Sequence, residues 1–108
     1  MANALYGLGR QAFLDGNISW SSDDIKAVLV DTALYTVNID VDQFLSAIVA
    51  GARIATSSNL SGKTSTLGVA DASDVTFTAV TGATVEAVVL YQDTGVAATS
   101  PLIAYIDT

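Results

Sequence analysis

The sequence has no cysteine and no histidine, and Pro101 is its only proline. Without cysteine, the chain can form no disulfide bond, thiol nucleophile or cysteine-ligated zinc site. Without histidine, the Ser-His and Cys-His catalytic pairs are excluded as well. Asp and Glu side chains are then left to supply acid–base chemistry or hard-metal binding, so most enzyme classes are excluded at this step.

Charged residues are also scarce, at 14% of the 108 residues, against about a quarter in an average domain. The chain carries 4 Lys+Arg and 11 Asp+Glu, which gives a formal net charge of -7. Nucleic-acid-binding proteins carry clustered basic residues, whereas Arg10, Lys26, Arg53 and Lys63 are scattered along this chain. We therefore expect no nucleic-acid partner.

Apolar residues make up 51% of the chain, which is enough for one hydrophobic core. The length predicts a single β-rich domain over residues 1–108. No apolar stretch approaches the roughly 18 residues of a membrane-spanning helix, and the N-terminus lacks the basic segment of a secretory leader. We expect no membrane partner and no leader.

Residues 4–14 carry a helical pattern, because their apolar residues recur at helical spacing. Asn3 can cap the start of this helix, and Gly16 can end it in the left-handed conformation. Two internal glycines weaken it by about 1 kcal/mol each relative to Ala. We therefore predict a short, marginal helix that is stable when the N-terminal segment, residues 1–16, docks on the rest of the domain.

A second helical pattern covers residues 41–49. Asp40 and Gln43 have the spacing of an N-cap and the residue that completes a capping box, and Gly51 follows the last apolar residue. This pattern predicts a helix of two turns.

The rest of the chain is rich in Thr and β-branched residues, in short runs separated by Ser, Asn, Asp and Gly. Strands are predicted at residues 18–20, 25–30, 52–56, 64–67, 75–80, 85–91 and 102–106. Short strands at this spacing are typical of antiparallel sandwiches and barrels. We therefore predict a mainly β fold, an antiparallel β-sandwich or jelly-roll-like domain with two short helices, and expect Trp20 and Phe77 to be largely buried.

Three of these strands end in Asp-Thr, at Asp31, Asp93 and Asp107. An Asp at this position favours an Asx turn, in which its carboxylate accepts a hydrogen bond from a nearby backbone N–H. We predict this turn after each of the three strands.

Closely spaced carboxylates are the remaining candidates for a calcium site or a catalytic pair. The spacing of an EF-hand is missing, and each pair lies at a predicted turn or cap. We therefore predict turn or cap roles, with no metal site and no catalytic residue. The pairs are Asp23 with Asp24, Asp40 with Asp42, and Asp71 with Asp74.

Two glycine-containing segments partly match nucleotide-binding motifs. Ser-Gly-Lys-Thr at residues 61–64 matches the end of a phosphate-binding loop, but Ser57 stands where the motif requires Gly. Residues 7–12 match a dinucleotide fingerprint, but too few residues precede them to form the required strand. We predict a hairpin turn at residues 61–64 and no cofactor.

Short hydrophobic segments and turn segments are distributed along essentially the whole chain. They include Met1-Ala2-Asn3-Ala4-Leu5-Tyr6, Ala12-Phe13-Leu14, Val28-Leu29-Val30-Asp31-Thr32, Phe44-Leu45-Ser46, Gly51-Ala52-Arg53, Asp74-Val75-Thr76-Phe77-Thr78 and Leu102-Ile103-Ala104-Tyr105-Ile106-Asp107-Thr108. In these segments the chain resembles a family of small virion proteins of tailed bacteriophages. The segments are hydrophobic and turn patterns, so they indicate a fold family better than a role.

The resemblance implies a non-enzymatic virion structural protein, and a capsid decoration or cement protein on the outer surface of the head is the leading hypothesis. Its expected partners are the major capsid protein and copies of itself, with no small-molecule substrate. A tail, fibre or adhesin module that binds a host surface glycan or protein is the alternative. A carboxylate-dependent hydrolase is a third, and it would need two carboxylates converging in a cleft.

The strand at residues 102–106 is a candidate intersubunit contact, formed by Leu102, Ile103, Ala104, Tyr105 and Ile106. It carries no charge, whereas exposed edge strands are usually protected by charges, Pro or a covering segment. We predict that it pairs with residues 85–91, and that it is interior to the sheet or covered by another subunit.

Overall fold

The structure is a computed structural model that describes residues 3–78 and 80–107. Within these residues, five strands form one antiparallel sheet: β1 (Ala4–Leu5), β2 (Ile25–Val30), β3 (Arg53–Thr56), β4 (Ala87–Gln92) and β5 (Leu102–Ile106). Their order across the sheet is β1-β5-β4-β2-β3. One α-helix, α1 (Gly7–Leu14), follows β1, and 3₁₀ turns lie at Leu45–Ala47, Ala50–Ala52, Thr66–Gly68 and Ala97–Thr99. The predicted mainly β fold is confirmed.

The centre of the sheet is β4, which pairs with β2 on one side and β5 on the other. Exposure alternates along β4, so one of its faces is buried and the other half-buried, as the two-residue period of a strand requires. The buried face belongs to the larger hydrophobic core. This core contains Tyr6, Val28, Val30, Tyr35, Leu45, Ile48, Ala52, Ala87, Val89, Tyr91, Leu102 and Tyr105.

The opposite face of the sheet has a smaller core made of Ile18, Ile25, Ile103 and Ala104. Residues of α1 and half-buried side chains from the loops pack against it. Strand β5 therefore contributes to both cores, and its first four residues are buried. This burial on two faces explains the continuous apolar pattern of residues 102–106.

The sandwich or jelly roll is not confirmed, because the described residues form a single sheet. Residues 18–20, 64–67 and 75–78, where further strands were predicted, are not in strands; residue 79 lies outside the described residues. Thr64 makes an isolated bridge with Asp71, and a 3₁₀ turn follows. Residues 64–67 and 75–78 have β-forming residues but are mostly exposed, so they bury no apolar face against a second sheet.

The predicted helix at residues 41–49 is wrong, and tertiary hydrogen bonds explain the difference. The Asp42 carboxylate accepts hydrogen bonds from the Asn38 N–H at 2.9 Å and the Tyr35 hydroxyl at 2.6 Å. Phe44 is extended and pairs with Pro101, and the Leu45 N–H donates to the Ser100 carbonyl at 2.8 Å. The backbone therefore bonds to the segment before β5, and only 3₁₀ turns form.

The N-terminal helix is confirmed, but it begins at Gly7 rather than near residue 4. The two residues of β1 pair with β5 instead. Asn3 does not cap the helix, because its Oδ1 accepts a hydrogen bond from the Asp107 N–H at 2.9 Å. Gly16 ends the helix with φ of 77°, as predicted.

Trp20 and Phe77 are half-buried, so their predicted place in the core is wrong. Trp20 packs beside the smaller core, and its Nε1–H donates to the Thr64 carbonyl at 2.9 Å. This bond anchors the loop at Thr64 to the indole. Trp20 therefore lies at the edge of the hydrophobic interior, where its ring is apolar on one side and solvated on the other.

Gly9 lies where α1 crosses β5, and it is buried. A Cβ atom at this position would lie 3.2 Å from the Ile103 Cα and closer still to the Leu102 carbonyl oxygen. Both contacts are backbone atoms, which cannot rotate away. The glycine that weakens the helix in isolation therefore allows the helix to dock.

We predict that Gly9→Ala lowers the free energy of unfolding by about 1–3 kcal/mol, because overpacking against the backbone outweighs the gain in helix propensity. Gly7→Ala is the matched control in the same helix. Its Cβ would meet the Asp40 Oδ1 at 3.3 Å, an atom on a side chain that can move. Thermal melts that place Gly9→Ala at or above both wild type and Gly7→Ala would contradict the packing argument.

All four tyrosines of the chain are buried, and two of them share a hydrogen-bond chain. The Tyr6 and Tyr35 hydroxyl oxygens are 2.8 Å apart, and Tyr35 donates its proton to Asp42, so Tyr6 donates to Tyr35. Burial is the largest cause that raises the pKa of each tyrosine above its ordinary value. At Tyr35 the bond to the Asp42 carboxylate raises the pKa further.

We predict that the tyrosines ionise only as the protein unfolds. The pKa values of the tyrosines in the folded protein lie above the unfolded value of about 10. The protonated tyrosines therefore make their full contribution to the free energy of unfolding below that pH, and this contribution declines as the pH rises further. An alkaline titration should show tyrosinate absorbance and loss of circular dichroism in one shared transition. Tyrosinate formation near pH ~10 in a protein that keeps its native circular dichroism would contradict the buried hydroxyl chain.

Candidate functional site

Strand β5, the predicted contact strand, is interior to the sheet. It lies between β1 and β4, and the pairing with β4 was predicted. The Tyr6 N–H donates to the Ile103 carbonyl at 2.9 Å, and the Leu102 N–H donates to the Gln43 carbonyl at 2.8 Å. The N-terminal segment and Gln43 of the same chain therefore cover the edge of β5. The role of Leu102, Ile103, Ala104, Tyr105 and Ile106 as an intersubunit contact stays a prediction.

An apolar groove opens on the surface beside this strand, with a volume of about 310 Å³. Its walls come from β1, α1, the loop that carries Trp20, the loop at residues 65–70, β4 and β5. The lining residues are Leu5, Phe13, Trp20, Ser65, Gly68, Ala70, Leu90, Ile103 and Ala104. We call this feature the β5 groove.

The β5 groove has no ionisable side chain in its lining. Leu5 is 46% exposed at its mouth, which leaves apolar surface open to solvent. The groove can therefore bury an apolar side chain from a partner, but its lining supplies no acid, base or metal ligand. Sequence reasoning identified Ile103 and Ala104 and missed Leu5, Phe13 and Leu90.

A second exposed region follows β3 in the chain. Leu67 is 97% exposed with φ of 54°, and Val69 is 64% exposed. Phe77 and Ile54 both line a groove of about 330 Å³. The region between β3 and β4 thus exposes several large apolar side chains.

Several carboxylates accept hydrogen bonds from the backbone of their own turns. Asp31 Oδ1 accepts from the Ala33 N–H and Asp93 Oδ1 from the Gly95 N–H, both at 2.9 Å. These two bonds confirm the predicted Asx turns after β2 and β4. Asp71 Oδ1 accepts from the Ala72 N–H at 2.8 Å.

Asp23 connects two parts of the structure. Its Oδ2 accepts hydrogen bonds from the Ser19 N–H at 2.7 Å and from the Gln92 Nε2 at 2.8 Å. Within residues 3–78 and 80–107, no group of three or more carboxylates is placed to hold a metal ion.

Each of the four basic side chains bonds within the chain. Arg10 donates to the Leu5 carbonyl at 3.2 Å, Arg53 donates to the Ile48 carbonyl at 2.9 Å, and Lys63 donates to the Asp23 carbonyl. Lys26 pairs with Asp93 at 2.9 Å, and this bond lowers the pKa of Asp93, helped by the Gly95 N–H. Each basic side chain is therefore held by an acceptor of the same chain. Among the described residues, no helix is long and apolar enough to cross a membrane.

We predict that metal ions do not affect folding. Because no group of three or more carboxylates converges among the described residues, adding EDTA or calcium should leave the melting temperature unchanged within error. A rise of many degrees with calcium, reversed by EDTA, would show a metal site bound to the folded state.

Comparison with known proteins gives no further assignment, since no family model, curated protein or solved structure matches this chain.

Proposed function

We propose that this protein is a non-enzymatic structural protein of a tailed-bacteriophage virion, and that it binds the outside of the head shell as a decoration or cement protein. The sequence resemblance, which spans the chain, supports the virion role. Its partners are the major capsid protein and further copies of itself. A small acidic domain without cysteine suits this location, because its folding does not depend on the redox state of the surroundings.

The β5 groove is the observation that carries this proposal. It is apolar, it is open to solvent, and it has no ionisable lining residue. Exposed apolar surface of this kind marks protein–protein contacts more often than catalytic sites, which need ionisable or nucleophilic groups. An apolar side chain of the capsid protein would fill the groove and bury Leu5.

The charge distribution supports the same partner class. The net charge is -7, and all four basic side chains bond within the chain. The surface is therefore acidic, which disfavours binding to the phosphate backbone of the packaged genome. A shell protein of this charge stays on the particle surface without binding nucleic acid.

The groove can be tested with one matched pair of leucine variants. Leu5→Ser removes an apolar side chain in the β5 groove, whereas Leu14→Ser removes one that is 88% exposed outside it. We expect Leu5→Ser to lose at least tenfold in affinity for particles that lack this protein, and Leu14→Ser to rebind as wild type does. Thermal melts of both variants check that they fold.

Equal rebinding of the two variants would contradict the groove as the attachment site.

Gel densitometry of purified virions tests where in the virion the protein is located. A copy number close to that of the major capsid protein supports the head shell, whereas a few copies per particle would place the protein in the tail or a fibre.

A further inference from the structure

A leucine on the loop at residues 64–71 is almost completely exposed to solvent. We call this segment the Leu67 loop. Leu67 is 97% exposed, and its φ of 54° lies in the left-handed region. Bulky side chains rarely adopt this conformation, and the exposure of a leucine to water is unfavourable in addition. A strained residue of this kind is a candidate for a functional contact.

Hydrogen bonds hold the Leu67 loop in place. The Thr64 N–H donates to the Asp71 carbonyl at 2.9 Å, and the Asp71 N–H donates to the Thr64 carbonyl at 3.0 Å, which closes the loop at its base. At its tip, the Gly68 N–H donates to the Ser65 carbonyl at 3.1 Å. The backbone that carries Leu67 is therefore ordered before a partner binds, and this lowers the entropy cost of binding.

The Leu67 loop lies beside the β5 groove. Ser65 and Gly68 line the groove, whereas Leu67, which lies between them in the chain, does not. Trp20 lines the groove as well, and its Nε1–H donates to the Thr64 carbonyl at 2.9 Å. An exposed leucine and an apolar groove of about 310 Å³ are therefore neighbours on one surface of the protein.

We propose that two copies of this chain form a reversible dimer in solution, in which Leu67 of each copy enters the β5 groove of the other. A two-fold axis brings the same surface of both copies together, so that surface must be complementary to itself. This surface meets the requirement, because it carries both an apolar side chain to be buried and an apolar groove to receive it. The exchange forms two identical contacts, which close the dimer.

The distribution of charge favours this surface for a contact between copies. Each copy has a net charge of -7, so two copies repel each other. Residues 64–70 carry no charged side chain, and no ionisable residue lines the β5 groove. The contact therefore buries no carboxylate from the loop tip or the groove. Salt screens the repulsion between the remaining charges, so it should strengthen the dimer.

The dimer does not rest on the proposed virion role, because it requires only Leu67 and the β5 groove of this chain. It uses the same groove as the proposed contact with the capsid protein, so the two contacts exclude each other. The free protein therefore covers its groove by pairing with a second copy, and it attaches to the particle as a monomer.

Sedimentation of the full chain over a concentration series tests the dimer. Leu67→Asn removes the apolar side chain and suits the backbone, because Asn tolerates positive φ. Leu14→Asn is the matched control at a residue that is 88% exposed outside the groove. We expect wild type and Leu14→Asn to dimerise with the same Kd, and Leu67→Asn to dimerise at least tenfold more weakly. Thermal melts check that both variants fold.

NMR spectra of the same series locate the contact. In wild type, amide shifts that depend on concentration should centre on Leu67 and on the groove residues Phe13 and Leu90. Both sets of shifts should be absent in Leu67→Asn.

Rebinding to particles that lack this protein separates the dimer from the proposed attachment site. Leu67→Asn should rebind as wild type does, because its groove is intact, whereas Leu5→Ser should lose both rebinding and dimerisation. A wild-type protein that is monomeric at about 1 mM would overturn the dimer, and the attachment site would still be tested by the Leu5→Ser variant.

Two other results would also overturn the proposal. Equal dimerisation of Leu67→Asn and wild type would exclude Leu67 from the contact. A mass that rises beyond that of a dimer would show head-to-tail association, which is incompatible with a reciprocal exchange around a two-fold axis.

Discussion

The hydrogen-bonding requirement of β5 determines how the rest of the chain is arranged. A strand of apolar residues is stable when both of its edges are paired and both of its faces are covered. Strand β4 pairs with one edge, and the N-terminal segment covers the other through β1 and the Tyr6 N–H. The helix α1 then lies across the strand, and the contact is close because Gly9 has no side chain. The β5 groove is the part of this arrangement that the N-terminal segment does not fill.

The elements predicted most accurately from the sequence are those whose apolar pattern results from burial. Strands β2, β4 and β5 have apolar runs that a central position in a sheet requires, and their predicted bounds lie within two residues of the observed ones. Residues 64–67 and 75–78 have similar β propensity, but most of their side chains are exposed, and propensity alone does not make a strand. The segment 41–49 had capping signals, yet the bonds of Asp42 to Tyr35 and Asn38 outweighed them.

The turns and grooves differ in how far they could be predicted, because the turns are formed by residues that are neighbours in the chain and the grooves by residues that are far apart. The Asx turns at Asp31 and Asp93 were predictable because the carboxylate and its N–H donor are two residues apart. The β5 groove was only partly predictable, because Leu5, Phe13 and Leu90 come together through the strand order, which no local pattern encodes.

The position of Trp20 gives the protein an internal optical reporter. It is the only tryptophan in the chain, and its half-buried ring forms part of the wall of the β5 groove. Indole emission depends on the polarity around the ring, so it depends here on whether the groove contains water or an apolar side chain. The occupancy of the groove is therefore readable from the fluorescence of the unmodified protein, while the four tyrosines in the core report on the folded state.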